Sequence, residues 1–143
     1  MKKEDSLFFI VAGVVVILDQ LVKWYIRNTF SLGETKVWLF TYIQNTGAGF
    51  GILKNNSILL GWVSVIAIGI ILYLFATLDA SGGKMKFPLA LILGGTIGNA
   101  IDRFSLNYVV DFIDFKVWPA FNVADSAIVI GGLLLVLILS RKK

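Results

Sequence analysis

The 143-residue chain contains neither cysteine nor histidine. Without cysteine it can form no disulfide and supply no thiolate nucleophile. Without histidine it has no imidazole base for a Ser–His–Asp arrangement and no ligand for a His-bound zinc. Charge is also scarce. It falls to 15% of residues, where a soluble domain of this size carries about a quarter. Apolar residues reach 57% and the mean hydropathy is +0.84, so the solvent these side chains expect is lipid. Any hydrolytic chemistry must therefore come from Asp, Glu, Ser, Thr, Lys or Tyr. The net charge of +4 does not read as a nucleic-acid surface. The basic residues sit at the ends of hydrophobic segments, where membrane topology explains them.

A spanning helix takes about 20 mostly apolar residues. Four hydrophobic segments are read, at about 7–26, 58–78, 87–103 and 123–139, the last two shorter in strictly apolar terms and with polar residues at one end. The expectation is an all-α membrane protein, one domain over 1–143, with four transmembrane helices and a small β-rich extracytoplasmic subdomain. Met1-Lys2-Lys3 before an apolar run resembles a signal peptide. Cleavage is not expected, because Asp19, Gln20 and Lys23 interrupt the run and no small-x-small site follows. Lys2, Lys3, Lys84, Lys86, Arg141, Lys142 and Lys143 fall on both tails and on the loop joining the second and third spans. The positive-inside rule makes that side cytoplasmic. Segments 28–57 and 104–120 then lie outside.

This orientation gathers the polar residues. Asp19 and Lys23 fall in the outer half of the first span. Asn99, Asp102 and Arg103 end the third, and Asn122 and Asp125 begin the fourth. Asn45 and Asp111 belong to the outer segments. The run 37–43 is β-branched and aromatic and reads as a strand. It leads to Asn45-Thr46-Gly47-Ala48-Gly49, whose small residues suit a turn or a close backbone approach. Trp24, Tyr25, Trp38, Trp62, Tyr108 and Trp118 read as interfacial anchors. Asp79-Ala80-Ser81-Gly82-Gly83 reads as a cytoplasmic turn, with Pro88 at the helix start that follows.

Ionisable groups at bilayer depth cost several kcal/mol and are rarely idle. Asp111 and Asp125, two carboxylates aimed at one place, suggest a shared proton and an activated water. Asp111 has a neighbour in Asp114. If 108–118 is a strand, alternation puts Asp111 with Val109, Ile113, Phe115 and Val117. Its apolar setting should raise its pKa. Asp114, with Lys116 on its own face, reads as an interface charge. Asp125 has two readings, as a first-turn carboxylate at a helix N-terminus and as a catalyst, with Asn122 available as the cap in either. Asp19 and Lys23 stand in the favourable i,i+4 order and read as a neutralised pair. Asp102 and Arg103 point in different directions. Arg103 is open to binding an oxygen pair as a fork or to snorkelling, and shares a face with Asn99. Gly94-Gly95-Thr96-Ile97-Gly98 reads as close helix packing.

Five motifs taken together resemble the lipoprotein signal peptidase family, also called signal peptidase II. They are Asp19-Gln20-Leu21-Val22-Lys23, Asn45-Thr46-Gly47-Ala48-Gly49-Phe50, Gly94 to Arg103, Val110-Asp111-Phe112, and Phe121-Asn122-Val123-Ala124-Asp125. Gly49 departs from the family's commoner Ala. The resemblance implies a membrane aspartyl endopeptidase of the bacterial cytoplasmic membrane, with its active site near the outer face. It implies diacylglyceryl-modified prolipoproteins as substrates, cut before the lipidated cysteine. It implies Asp111 and Asp125 as the catalytic pair, and Asn45, Asn99, Arg103 and Asn122 as polar residues lining the site. Asp19, Lys23 and Asp102 would support them. Neither metal nor cofactor is implied, nor nucleic acid. The expected partners are substrate and membrane lipids, and the chain is expected as a monomer. Two rivals remain on residues alone. One is a serine–lysine peptidase using Lys23 with Ser105 or Ser126. The other is a proton- or cation-coupled carrier, against which the outer clustering argues, since carriers bind near the midplane.

Overall fold

A computed structural model of the chain describes residues 3–48, 53–78 and 83–141. Met1, Lys2, Lys142, Lys143, the Gly49-Phe50 end of the second motif and the 79–82 part of the expected turn lie outside the described residues. The elements run α1 (Lys3–Thr29), β1 (Thr35–Val37), β2 (Phe40–Asn45), α2 (Ser57–Thr77), α3 (Gly83–Leu106), β3 (Val109–Ile113) and α4 (Val123–Ser140).

Helix α1 shows why these residues fold as they do. Phe8, Ala12, Val15, Asp19, Lys23, Ile26 and Phe30 are buried, and they recur every three or four positions. That spacing makes one stripe along a helix. Leu7, Ile10, Val14, Ile17, Leu18 and Leu21, on the rest of the surface, are exposed. The stripe faces α3, the hub against which α1, α2 and α4 all pack. Three helices, α1 from Asp5, α2 and α4, are long and apolar enough to cross a membrane. Helix α3 is as long but less apolar. The reason is its position. Twelve of its residues are buried in protein, among them Lys86, Thr96, Asn99 and Asp102. A helix wrapped by other helices does not need a lipid-compatible surface all round.

Glycines set how closely the hub is approached. A Cβ on Gly94 would stand 2.7 Å from the Ala12 carbonyl oxygen and 2.7 Å from Val15 Cβ on α1. A Cβ on Gly95 would collide with the Ala124 carbonyl oxygen on α4. One on Gly98 would come within 2.6 Å of the Asp19 carboxylate. The Gly94–Gly98 run therefore packs against two helices at once. Pro88 corrects an expectation. The helix begins at Gly83, so Pro88 lies inside it, where its lack of N–H forgoes one backbone bond.

The three strands form one antiparallel sheet in the order β1-β2-β3. The run 37–43 is not one strand. The chain turns at Trp38-Leu39, making a hairpin of β1 and β2. The 108–118 run is likewise shorter than expected, ending at Ile113. Asp114 then receives the Lys116 N–H, and Lys116 takes a left-handed φ of 63°. Both faces of β3 are covered. Val110 and Phe112 enter a core with Ile26, Phe30 and Tyr42. Asn45 pairs with Val109 and Ile43 with Asp111, which brings the end of β2 beside the acid. Ile113 also bridges to Phe121. That bridge returns the 114–120 loop to the strand, so Asn122 starts α4 next to Asp111.

Gly95→Ala should lower stability by about 1–3 kcal/mol, the usual cost of overpacking. Gly132, which has nothing within 4 Å of a built Cβ, should accept alanine with little change. Thermal unfolding of the two variants in detergent checks this, with a lower melting temperature expected for Gly95→Ala alone.

Candidate active site

Asp111 is presented by β3 and is 2% exposed. Its Oδ2 accepts the Asn45 side-chain NH2 at 2.9 Å, and its Oδ1 accepts that of Asn122 at 2.8 Å. Asp125 stands in the first turn of α4, where it takes the helix-terminus role and also lines the cavity that it shares with Asp111. Its Oδ2 accepts the Asn122 backbone N–H at 3.3 Å, while the Asn122 side chain accepts the Asp125 N–H at 2.9 Å. This is a reciprocal capping box. Its other oxygen, Oδ1, accepts the Asn99 NH2 at 2.7 Å. Asn122 also donates to the Asn99 oxygen at 3.2 Å, so two asparagines link the acids.

Both carboxylates open onto a cavity of about 1040 Å³ that also receives Asn45, Asn99 and Arg103. Pro119, Phe121, Val129 and Ile130 supply apolar wall. Burial first, and the charge of Asp125 second, push the Asp111 carboxyl up from 3.8 to about 7. The expected effect of an apolar setting is present, and a second carboxylate adds to it. Asp114 is placed differently. It bonds the Lys116 ammonium at 2.6 Å, and that hydrogen bond holds it below the usual carboxylate range.

Arg103 reaches the same cavity, and its Nη1 donates to the Ser64 hydroxyl at 3.5 Å. Its Nε is buried and has no acceptor among the described residues. A buried donor left open is costly, so the guanidinium has hydrogen-bonding capacity to offer an oxygen in the cavity. Asp102, its neighbour, points the other way and accepts the Val110 N–H at 3.0 Å.

Behind the cavity lies a buried ionic cluster. The Lys23 ammonium meets Asp19 Oδ2 at 2.7 Å, Asp102 Oδ2 at 3.1 Å and Asn99 Oδ1 at 3.0 Å. Asp19 is thus part of a three-helix tie and more than an isolated i,i+4 pair. Its Oδ1 accepts the Ala124 N–H at the start of α4. The Lys23 ammonium is taken up by Asp19, Asp102 and Asn99. Ser105 donates to the Ile101 carbonyl and Ser126 to that of Asn122, which removes the serine–lysine arrangement. Gln20, to which the sequence assigns no site role, donates to Asp102 at 3.0 Å and to the Gly98 carbonyl at 3.1 Å. Its amide in an otherwise apolar helix was the available signal. Among the described residues no group of three acidic residues is placed to hold a metal ion.

Residues 11–141 match the model of the family described as signal peptidase (SPase) II. The lipoprotein signal peptidase of Halothermothrix orenii is 40% identical, covering 94% of this chain and 96% of that one. That of Shouchella clausii is 45% identical over 92% and 91%. A solved bacterial membrane enzyme superposes with a TM-score of 0.87 at 31% identity, over 95% of this chain and 88% of its own.

The raised Asp111 has a thermodynamic consequence. The folded chain keeps a proton that the unfolded chain releases between about pH 4 and 7. Stability should therefore fall as pH rises through that window. Asp111→Asn, which cannot ionise, should flatten this dependence and be the more stable form at pH 8. Unfolding followed from pH 4 to 8 for both proteins checks it.

Proposed function

This chain belongs to the signal peptidase II family, and from that premise we propose that it is an aspartyl endopeptidase working at the outer face of a bacterial cytoplasmic membrane. Its activity is the removal of signal peptides from prolipoproteins, the function carried by relatives that match nearly its whole length. The carrier alternative finds no support in that kinship. The substrate we assign is a precursor whose cysteine already bears diacylglycerol, cut on the N-terminal side of that cysteine.

One observation carries the aspartyl reading. Asp111 from β3 and Asp125 from α4 share one cavity and are linked through Asn99 and Asn122. Two neighbouring carboxylates hold one proton between them, because both cannot ionise cheaply. Burial and the Asp125 charge raise the Asp111 carboxyl to about 7, and the pair titrates as a unit, with either acid able to hold the proton. The ionised partner takes a proton from a water, which attacks the scissile carbonyl. The protonated partner hydrogen-bonds the carbonyl oxygen as it gains charge. Asn45, Asn99 and Asn122 orient the carboxylates, and the open side of Arg103 binds a substrate oxygen. Neither metal nor cofactor enters this scheme.

We assign α3 as a fourth span, since it lies alongside three helices that are long and apolar enough to cross. Basic residues then put both termini in the cytoplasm. The exposed Trp24, Trp38 and Trp118 suit the outer interface. A single chain contains every residue of the scheme, so a monomer suffices.

Purified protein should cleave a diacylglyceryl-modified precursor peptide and leave its unlipidated counterpart intact. Asp111→Asn and Asp125→Asn should each lose at least about 10²–10⁴-fold in rate, the usual weight of a general acid or base, while still inserting. Asp114→Asn should keep most of the activity. Robust turnover by Asp125→Asn would overturn the scheme.

A further inference from the structure

Three side-chain amides meet the two carboxylates, and an amide turned over offers an oxygen where its NH2 stood. Each is held one way round by a group that only donates. The Asn45 oxygen accepts the Gly47 N–H at 3.0 Å, which leaves its NH2 for Asp111. The Asn122 oxygen accepts the Asp125 N–H, which leaves its NH2 for Asp111 and for the Asn99 oxygen. In both cases the backbone decides. Asn99 differs, because among the described residues its oxygen is held by side chains alone. That oxygen accepts the Lys23 ammonium at 3.0 Å and the Asn122 NH2 at 3.2 Å. An ammonium has three protons and no lone pair, so Asn99 must keep its NH2 toward Asp125 Oδ1. Lys23 in turn has no freedom to swing away. Its three protons are matched by Asp19, Asp102 and Asn99, and it is 2% exposed.

We infer that Lys23 is a positioning residue for the reaction: through the Asn99 amide it keeps an N–H donor on Asp125 and so keeps that carboxylate ready to accept a proton from water. This rests on the aspartyl reading of the site and deepens it. Without Lys23 the Asn99 oxygen keeps only the Asn122 NH2, at 3.2 Å, so the amide is held less firmly and its turned form, with the oxygen facing Asp125, gains population. Two oxygens meet there comfortably only if a proton lies between them, so the pair would hold its protons more tightly. The charged groups around the pair are Asp111 from β3, Asp102 and Arg103 from α3, and Asp19 and Lys23 from α1. Lys54 lines the cavity just before α2. Helix α2 brings Ser64 to Arg103, and β2 lines the cavity with Ile43, Gln44 and Asn45, none of them charged. Among the described residues, Lys23 is the cation that bonds Asn99.

The test is the pH profile of cleavage of a diacylglyceryl-modified peptide by the detergent-purified full chain. Lys23→Met should lower kcat by about 10- to 100-fold, the weight of one hydrogen bond to a charged group. KM should change little, since Lys23 does not line the cavity. The acidic limb should move to higher pH. Lys23→Arg keeps a cation that only donates and should keep the wild-type limb. In an Asn99→Ala background, which should itself shift the limb, Lys23→Met should add less than half of its original shift. A purely structural role would reduce folded yield and leave the limb in place, and that result overturns the inference. So does an undiminished shift in the Asn99→Ala background, which would indicate charge acting through space. If Lys23→Met does not fold, Asn99→Ala decides, and an unmoved limb there overturns the proposal. Loss of the aspartyl reading is separately visible, as wild-type cleavage that survives Asp111→Asn or Asp125→Asn.

Discussion

The arrangement of this protein depends on one buried ammonium. A charge taken out of water costs several kcal/mol unless it is fully paired, and removing one partner from a buried pair costs about 3–5 kcal/mol. Lys23 meets that demand with three acceptors from two helices. The acids that neutralise it have further duties. Asp19 accepts the Ala124 N–H and so holds the first turn of α4. Asp102 accepts the Val110 N–H and so holds β3. One cation thereby fixes the two elements that carry Asp125 and Asp111.

Close packing makes that network possible. Gly98 gives the Asp19 carboxylate room against α3, where a methyl group would come within 2.6 Å. Gly95 does the same for the Ala124 carbonyl. The N-terminus of α4 can then approach the hub closely enough for Asn99 to reach Asp125. The proposed catalytic pair is a local cost within this frame. Burial and a neighbouring carboxylate hold the Asp111 carboxyl at about 7, and the surrounding helices supply the stability against which that strain is set.

Much of the site was legible because lipid makes polar residues conspicuous. Asp19, Lys23, Asn99, Asp102, Arg103, Asn122 and Asp125 stand out against apolar runs, and basic flanks alone suggested which side they share. The resemblance to signal peptidase II then rested on five short motifs in order, and membership follows from similarity over nearly the whole chain. Other features were hidden. The hairpin turn at Trp38-Leu39 falls between residues of high strand preference, so composition does not reveal it. The early start of α3 before Pro88 goes against the usual meaning of proline. Helix α3 carries too much polarity to look like the others, because its surroundings are protein.

The sequence by itself determined the solvent, the absence of thiol and imidazole chemistry, the helical apolar runs and the shortlist of carboxylates, since these follow from composition and period. Only the tertiary structure decided which groups meet. It separated Asp111 from Asp114 by giving one a second carboxylate and the other a lysine. It showed that Asp125 gives one oxygen to the helix cap and the other to Asn99 at the cavity. It also turned the Asp19–Lys23 pair into the anchor of four elements. The physical reason is that hydrogen bonds are directional and act over about 3 Å, so partners far apart in the chain are known only once the chain has brought them together.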